Sequence, residues 1–130
     1  METTMRSPRV VLADDVAGTR DLVRWFLEED EEGPRVEVVG EADNGTEVLP
    51  LVMDLRPDVV LMDARMPALD GISCTRLLAE EAPDVKVIVF SVFDDPDLRR
   101  MAEEAGAYAF MVKGSDMGEV RRTIVRAAEA

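Results

Sequence analysis

Three short runs constrain this chain more than any other feature: RVVLAD at 9–14, DVVLMD at 58–63 and VKVIVFS at 85–91. Each is apolar at consecutive positions, not at alternate ones. Successive strand residues point to opposite faces, so such a strand has no face to offer to water and belongs in a parallel sheet covered on both sides. Valine-rich VEVVGEA (36–42) and the shorter YAFMV (108–112) bring the strands to five.

The stretches between them carry helical periodicity and helix punctuation. TRDLVRWFLEED (19–30) places Leu22, Val23, Phe26 and Leu27 on one face. GISCTRLLAEEA (71–82) follows Asp70, an N-cap, and stops before Pro83. The helix beginning DPDLRRMAEEAGA has Asp95 as N-cap, Pro96 in its first turn and Gly106 at its close. SDMGEVRRTIVRAAEA (115–130) is a last helix capped by Ser115, with Val120 and Ile124 facing inward. GTEVLPLVMDL (45–55) is helical except for Pro50, so it is expected to kink there or to start properly only near it. Strict alternation of five strands and five helices predicts an α/β fold, with helices on both faces of the sheet. Right-handed crossovers leave few topologies, and the expected one is a flavodoxin-like, doubly wound five-stranded parallel sheet of order 2-1-3-4-5. The 130 residues suit one domain, read as a tail over 1–7 and a domain over 8–130.

In such sheets ligands bind beyond the carboxyl ends of the strands, near the point where the strand order reverses. Asp14 and Asp15 follow the first strand, Asp63 ends the third, Ser91 the fourth, and Lys113 follows the fifth. Three carboxylates converging on one cleft require a cation, and an all-oxygen set with room for water suits Mg²⁺. Lys113 supplies positive charge from the opposite side, an anion fits between, and the Ser91 hydroxyl can donate to it. This is the apparatus of phosphoryl transfer, in which positioning and charge neutralisation dominate. If the phosphoryl group stays on the protein, Asp63 is the best-placed nucleophile. Without metal the adjacent acids repel, so Asp14→Asn or Asp15→Asn is expected to raise the metal-free melting temperature.

Composition narrows the alternatives. The net charge of -13 disfavours contact with nucleic acid or an anionic membrane surface. The absence of histidine removes Ser–His and Cys–His catalysis and histidine-based metal sites. Cys74 is the single cysteine, so no intrachain disulfide forms, and it reads as a packing thiol. METTMRSPRV has no apolar signal-peptide core, and no stretch is long and apolar enough to span a bilayer.

LADD (12–15), LMDARMPALDG (61–71), VFS (89–91) and AGAYAFMVKG (106–114) together resemble the receiver domain of bacterial two-component response regulators, the CheY-like family. VVLADD, VVGEADNG and RPDVVLMDARMPALDG look most like the LuxR/NarL-type transcription-factor group. The resemblance implies that Asp63 is phosphorylated by a sensor histidine kinase. It implies that Asp14, Asp15, the Asp63 side chain and the Arg65 backbone carbonyl hold Mg²⁺, and that Ser91 and Lys113 bind the phosphoryl group. It makes Phe110, three residues before the lysine, the aromatic switch that moves with Ser91; Tyr108 lies too early. It further implies a cytoplasmic, non-enzymatic signalling module whose helix 4–strand 5–helix 5 surface controls an output, with a possible homodimer on phosphorylation. The output is expected to be transcription, through an effector domain absent from this chain; a stand-alone receiver is the alternative. The family usually has proline after the lysine, where this chain has Gly114. A haloacid-dehalogenase-type phosphatase is the enzymatic rival, but it wants an acid two residues after the nucleophile, where Arg65 stands. By itself Phe110 reads as core packing, Trp25 as a partly covered surface aromatic, and the EEDEE run (28–32) as a solvated helix end.

Overall fold

Along the chain the elements are β1 (Arg9–Ala13), α1 (Ala17–Glu28), β2 (Glu37–Ala42), α2 (Val48–Leu55), β3 (Val59–Asp63), α3 (Gly71–Glu81), β4 (Lys86–Ser91), α4 (Pro96–Ala105), β5 (Ala109–Val112) and α5 (Met117–Glu129). The computed structural model describes residues 7–29 and 33–130; all but the last residue of the 1–7 tail lies outside that set. The strands are parallel in the expected order β2-β1-β3-β4-β5.

Alternation along the consecutive apolar runs builds two cores. Val11, Ala13, Val60, Met62, Val87 and Val89 pack with Val48, Val52, Ile72, Leu78, Ala102 and Ala105 of α2, α3 and α4. Their chain neighbours Val10, Leu12, Val59, Leu61, Ile88 and Phe90 pack with Val23 and Leu27 of α1 and with Val120, Ile124 and Ala127 of α5. No position in the middle of β1 or β3 is spared for water, which is why these runs read as buried strands.

Pro50 does not kink its helix. A 3-10 turn over Gly45–Glu47, capped by Asn44, precedes α2, and Pro50 is the third helical residue, where a backbone N–H has no intrahelical acceptor to lose. Asp70, Asp95 and Gly106 serve as caps as expected, Gly106 with a φ of 102°. Two expectations are corrected. The N-cap of α5 is Asp116, whose carboxylate accepts from the Gly118 N–H, while the Ser115 hydroxyl donates to the Val112 carbonyl. Leu22 is exposed instead of sharing the inner face of α1, whose buried residues are Val23 and Leu27.

The terminal carbonyls of two helices are satisfied by distant arginines. Arg9 donates to the Leu55 and Arg56 carbonyls at the end of α2. Arg121, buried on α5, donates to Phe26 and Leu27 at the end of α1 and to Pro34 at 2.8 Å, and among the described residues no carboxylate pairs with it. The negative end of the α1 dipole takes the place of a counter-ion. Arg121→Met removes these charge-assisted hydrogen bonds and strands the carbonyls. It is expected to lower stability by about 3 kcal/mol in urea unfolding, with the fold retained.

Candidate functional site

The parallel register brings the carboxyl ends of β1, β3, β4 and β5 to one edge. The ladder runs one residue past the strands: the Asp14 N–H donates to the Ala42 carbonyl and the Lys113 N–H to the Ser91 carbonyl. Strand parity therefore extends to the polar residues. Asp14, Asp63 and Lys113 continue the series facing α1 and α5, while Ser91 continues the series facing α2–α4.

Parity puts Lys113 between two acids. Its Nζ lies 2.6 Å from Asp14 Oδ2 and 3.4 Å from Asp63 Oδ2. The other oxygen of each acid is engaged by the backbone: Asp14 Oδ1 accepts from the Val16 N–H at 2.9 Å, and Asp63 Oδ1 from the Arg65 N–H at 3.2 Å. Ser91 Oγ accepts from the Phe93 N–H at 3.0 Å. Asp14, Asp63 and Ser91 are buried, whereas Asp15 is exposed. One carboxylate oxygen from each of Asp14, Asp15 and Asp63 lies within 4.8 Å of the others. Burial pushes the Asp63 carboxyl above the ordinary aspartate range; the Arg65 N–H and Lys113 oppose this, Asp14 adds to it, and the net shift is upward.

The loop after Asp63 is held by close approach. A methyl group on Gly71 would overlap the Asp63 carbonyl, and one on Gly45 would overlap the Leu69 carbonyl. The Gly71 N–H donates to the Ala64 carbonyl and the Gly45 N–H to that of Pro67. Ala68 takes a φ of 71°, and exposed Arg65 lies 5.4 Å from the centre of the Phe93 ring. Past Lys113, Gly114 has a φ of 93°. Proline, locked near about −65°, cannot adopt that path, so the glycine sets a different course for the loop.

Phe110 is half-buried against the α2–α4 core, with the Arg99 guanidinium 4.7 Å from its ring centre, and Arg99 in turn binds Asp94. Tyr108 is exposed. Arg20 also belongs to this end of the sheet, since its Nη1 donates to the Asp14 carbonyl at 2.6 Å; that acceptor is a backbone atom and leaves no trace in residue identity. Nor is Glu28 merely solvated: it pairs with Arg24 and accepts from the Val38 N–H, while residues 30–32 of that acidic run lie outside the described residues. Cys74 is buried and its thiol is pushed up to about 11, chiefly by desolvation and then by Asp70, consistent with a packing role. Trp25 is half-exposed and meets Phe26 edge to face.

Three carboxylates with one ammonium leave the cluster net negative, and its donors are all oxygen, so the residues present fit a hard divalent cation such as Mg²⁺. Among the described residues no helix is long and apolar enough to cross a membrane.

Residues 10–125 match the response regulator receiver domain family. The chain is 39% identical over 121 residues, 93% of its length, to the transcriptional regulatory protein LiaR of Bacillus subtilis, and spans 56% of that protein. It is 38% identical over 84% of its length to a protein-glutamate methylesterase/protein-glutamine glutaminase of Geobacter sulfurreducens, spanning 28% of it. The signal receiver domain of the response regulator NarL from Mycobacterium tuberculosis superposes with a TM-score of 0.89 at 32% identity, covering 97% of this chain and 99% of that one.

The ion pair of Asp14 with Lys113 narrows the expectation for the paired acids. In metal-free protein, Asp15→Asn is expected to raise the melting temperature by about 1–2 °C, since it relieves exposed like-charge repulsion. Asp14→Asn loses its bond to Lys113 and is expected to lower it; thermal melts in a chelator decide both. Asp63 supplies a pH test. Its raised folded-state pKa means the folded chain holds its proton more tightly than the unfolded one. That contribution to stability is full below the ordinary value of about 3.9 and is lost as pH rises through the folded value. Asp63→Asn should therefore flatten the fall in metal-free melting temperature from acid to neutral pH.

Proposed function

The chain belongs to the response regulator receiver family, and on that premise we propose that it is a phospho-accepting switch of a two-component system, with Asp63 as the acceptor. The supporting observation is the convergence of Asp14, Asp15 and Asp63 within 4.8 Å, with Lys113 bridging two of them, at the edge of a receiver fold. An Asp63 oxygen attacks the phosphorus of a phosphohistidine on a sensor histidine kinase. A P–O bond forms, the P–N bond breaks, and its electron pair returns to the donor imidazole. Asp14, Asp15, the Asp63 side chain and the Arg65 backbone carbonyl are the residues to hold Mg²⁺. Bound there, Mg²⁺ neutralises the acids and the negative charge of the phosphoryl oxygens.

Lys113 already spans both buried acids, so it is placed to follow the charge to the new oxygens. Ser91 turns its hydroxyl toward one of them and gives up the Phe93 N–H it now accepts from. About two added negative charges bias an existing equilibrium, with Ser91 and Phe110 as the moving pair and the α4–β5–α5 surface as the readout. Phe110 has no hydroxyl to tie it outward; stacking on Arg99 is the tether this chain provides instead.

The receiver domain is assigned to 8–130, acting in the cytoplasm, accepting a phosphoryl group without turnover and without touching nucleic acid itself. A homodimer on phosphorylation belongs to the same reading, with its interface left open. Because the chain spans about half of the regulator LiaR, the output is assigned to transcription through a domain outside this chain. The likeness to the Geobacter methylesterase supports an enzymatic output domain as the second reading.

Incubation with Mg²⁺ and acetyl phosphate or phosphoramidate should add the mass of one base-labile phosphoryl group. Asp63→Ala or a chelator should abolish the adduct. A wild-type chain with no Mg²⁺-dependent adduct overturns the reading, and turnover of a phosphate ester at enzymatic rates transfers it to the haloacid-dehalogenase type.

A further inference from the structure

The turn that carries Asp14 and Asp15 has little local support. Val16 is the N-cap of α1 and offers no side-chain acceptor. The Asp14 carboxylate is committed to Val16 and Lys113. What holds the Asp14 backbone comes from β2, at two consecutive residues. Its N–H donates directly to the Ala42 carbonyl at 3.0 Å. Its carbonyl accepts from Arg20 Nη1 at 2.6 Å, and Arg20 Nε donates to Glu41 Oε1 at 2.8 Å. Both backbone polar groups of Asp14 are thus fastened to the same strand, one directly and one through a guanidinium.

We propose that Arg20 and Glu41 form a positioning pair that fixes the Asp14–Asp15 turn and thereby sets the affinity of the acid cluster for a divalent cation. This rests on the receiver reading above. Two properties of the pair matter. A planar guanidinium engages the carbonyl and the carboxylate through different nitrogens at once, which a lysine ammonium at the end of a flexible stem does not reproduce. Glu41 also neutralises a cation that would otherwise stand beside the acids and compete with the metal. The pair is shielded, with side-chain exposures of 16% and 24%, unlike the outer pairs of α4 and α5. Arg24 extends the chain of contacts outward from Glu41 to Glu28 and does not touch the turn.

The test uses Mg²⁺ alone, titrated calorimetrically into the whole chain, with amide exchange at Val16 in chelator and the melting temperature as companion readouts. Arg20→Lys and Glu41→Gln should each weaken Mg²⁺ binding about 10-fold, as supporting partners of metal ligands do. Each should speed Val16 exchange in the metal-free protein, and the double variant should be no worse than either alone. Arg24→Lys should leave Mg²⁺ affinity within about twofold of wild type, because it disturbs the network without reaching Asp14. The proposal is overturned if Arg20→Lys keeps wild-type affinity and Val16 protection. It is also overturned if Arg24→Lys weakens binding as much as Arg20→Lys, or if melting falls while affinity holds. Acetyl phosphate labelling separates the two levels. If wild type forms no adduct, the receiver reading fails; if it does and the Arg20 and Glu41 variants bind Mg²⁺ like wild type, only the positioning pair fails.

Discussion

The open end of the sheet depends on one ammonium group. Asp14 and Asp63 are both buried, and two carboxylates held so close repel each other unless a cation lies between them. Lys113 reaches both because the three residues share strand parity across β1, β3, β4 and β5. One charge between two acids does not balance the site, and exposed Asp15 adds a third carboxylate. The arrangement is held together yet left short of positive charge, which is the condition for binding a cation reversibly.

Geometry at that end is set by elements that carry no charge. Gly71 and Gly45 let the segment between β3 and α3 lie against backbone where a methyl group would not fit, and this fixes the direction in which the chain leaves Asp63. Asp70 then caps α3 through the Ser73 N–H, so the loop is bounded by an acid acting as acceptor at each end. On the other side of the cleft the Gly114 backbone turns in a way closed to proline, which gives this chain its own path from β5 into α5.

Much of this was legible in the sequence because the signals were local. Runs apolar at every position can only be two-sided strands, and Asp70, Asp95 and Gly106 act on backbone groups within a few residues of themselves. Alignment of the strand ends followed from topology, so the meeting of Asp14, Asp63 and Lys113 could be anticipated. The rest depended on distance. Arg121 bonds to a carbonyl far along the chain and Arg20 to one six residues before it, and a carbonyl has no residue type to betray it. Ser115 and Asp116 are both competent caps, and the choice fell to the acid because the serine hydroxyl was taken by Val112. Leu22 fits the periodicity of α1, but the helix meets the sheet along a narrower stripe than the pattern allows.

The separation of the core into two layers has a mechanical corollary. Ser91 and Phe110 sit with the α2–α4 layer, whereas α1 and α5 are buttoned together by the buried guanidinium of Arg121. A displacement starting at Ser91 would enter the layer free of that clasp and leave the opposite one as a stationary chassis. On the switching proposed above, the flexing falls on one side of the sheet, with α5 as the rim held by Arg121 and α4 and β5 as the parts displaced.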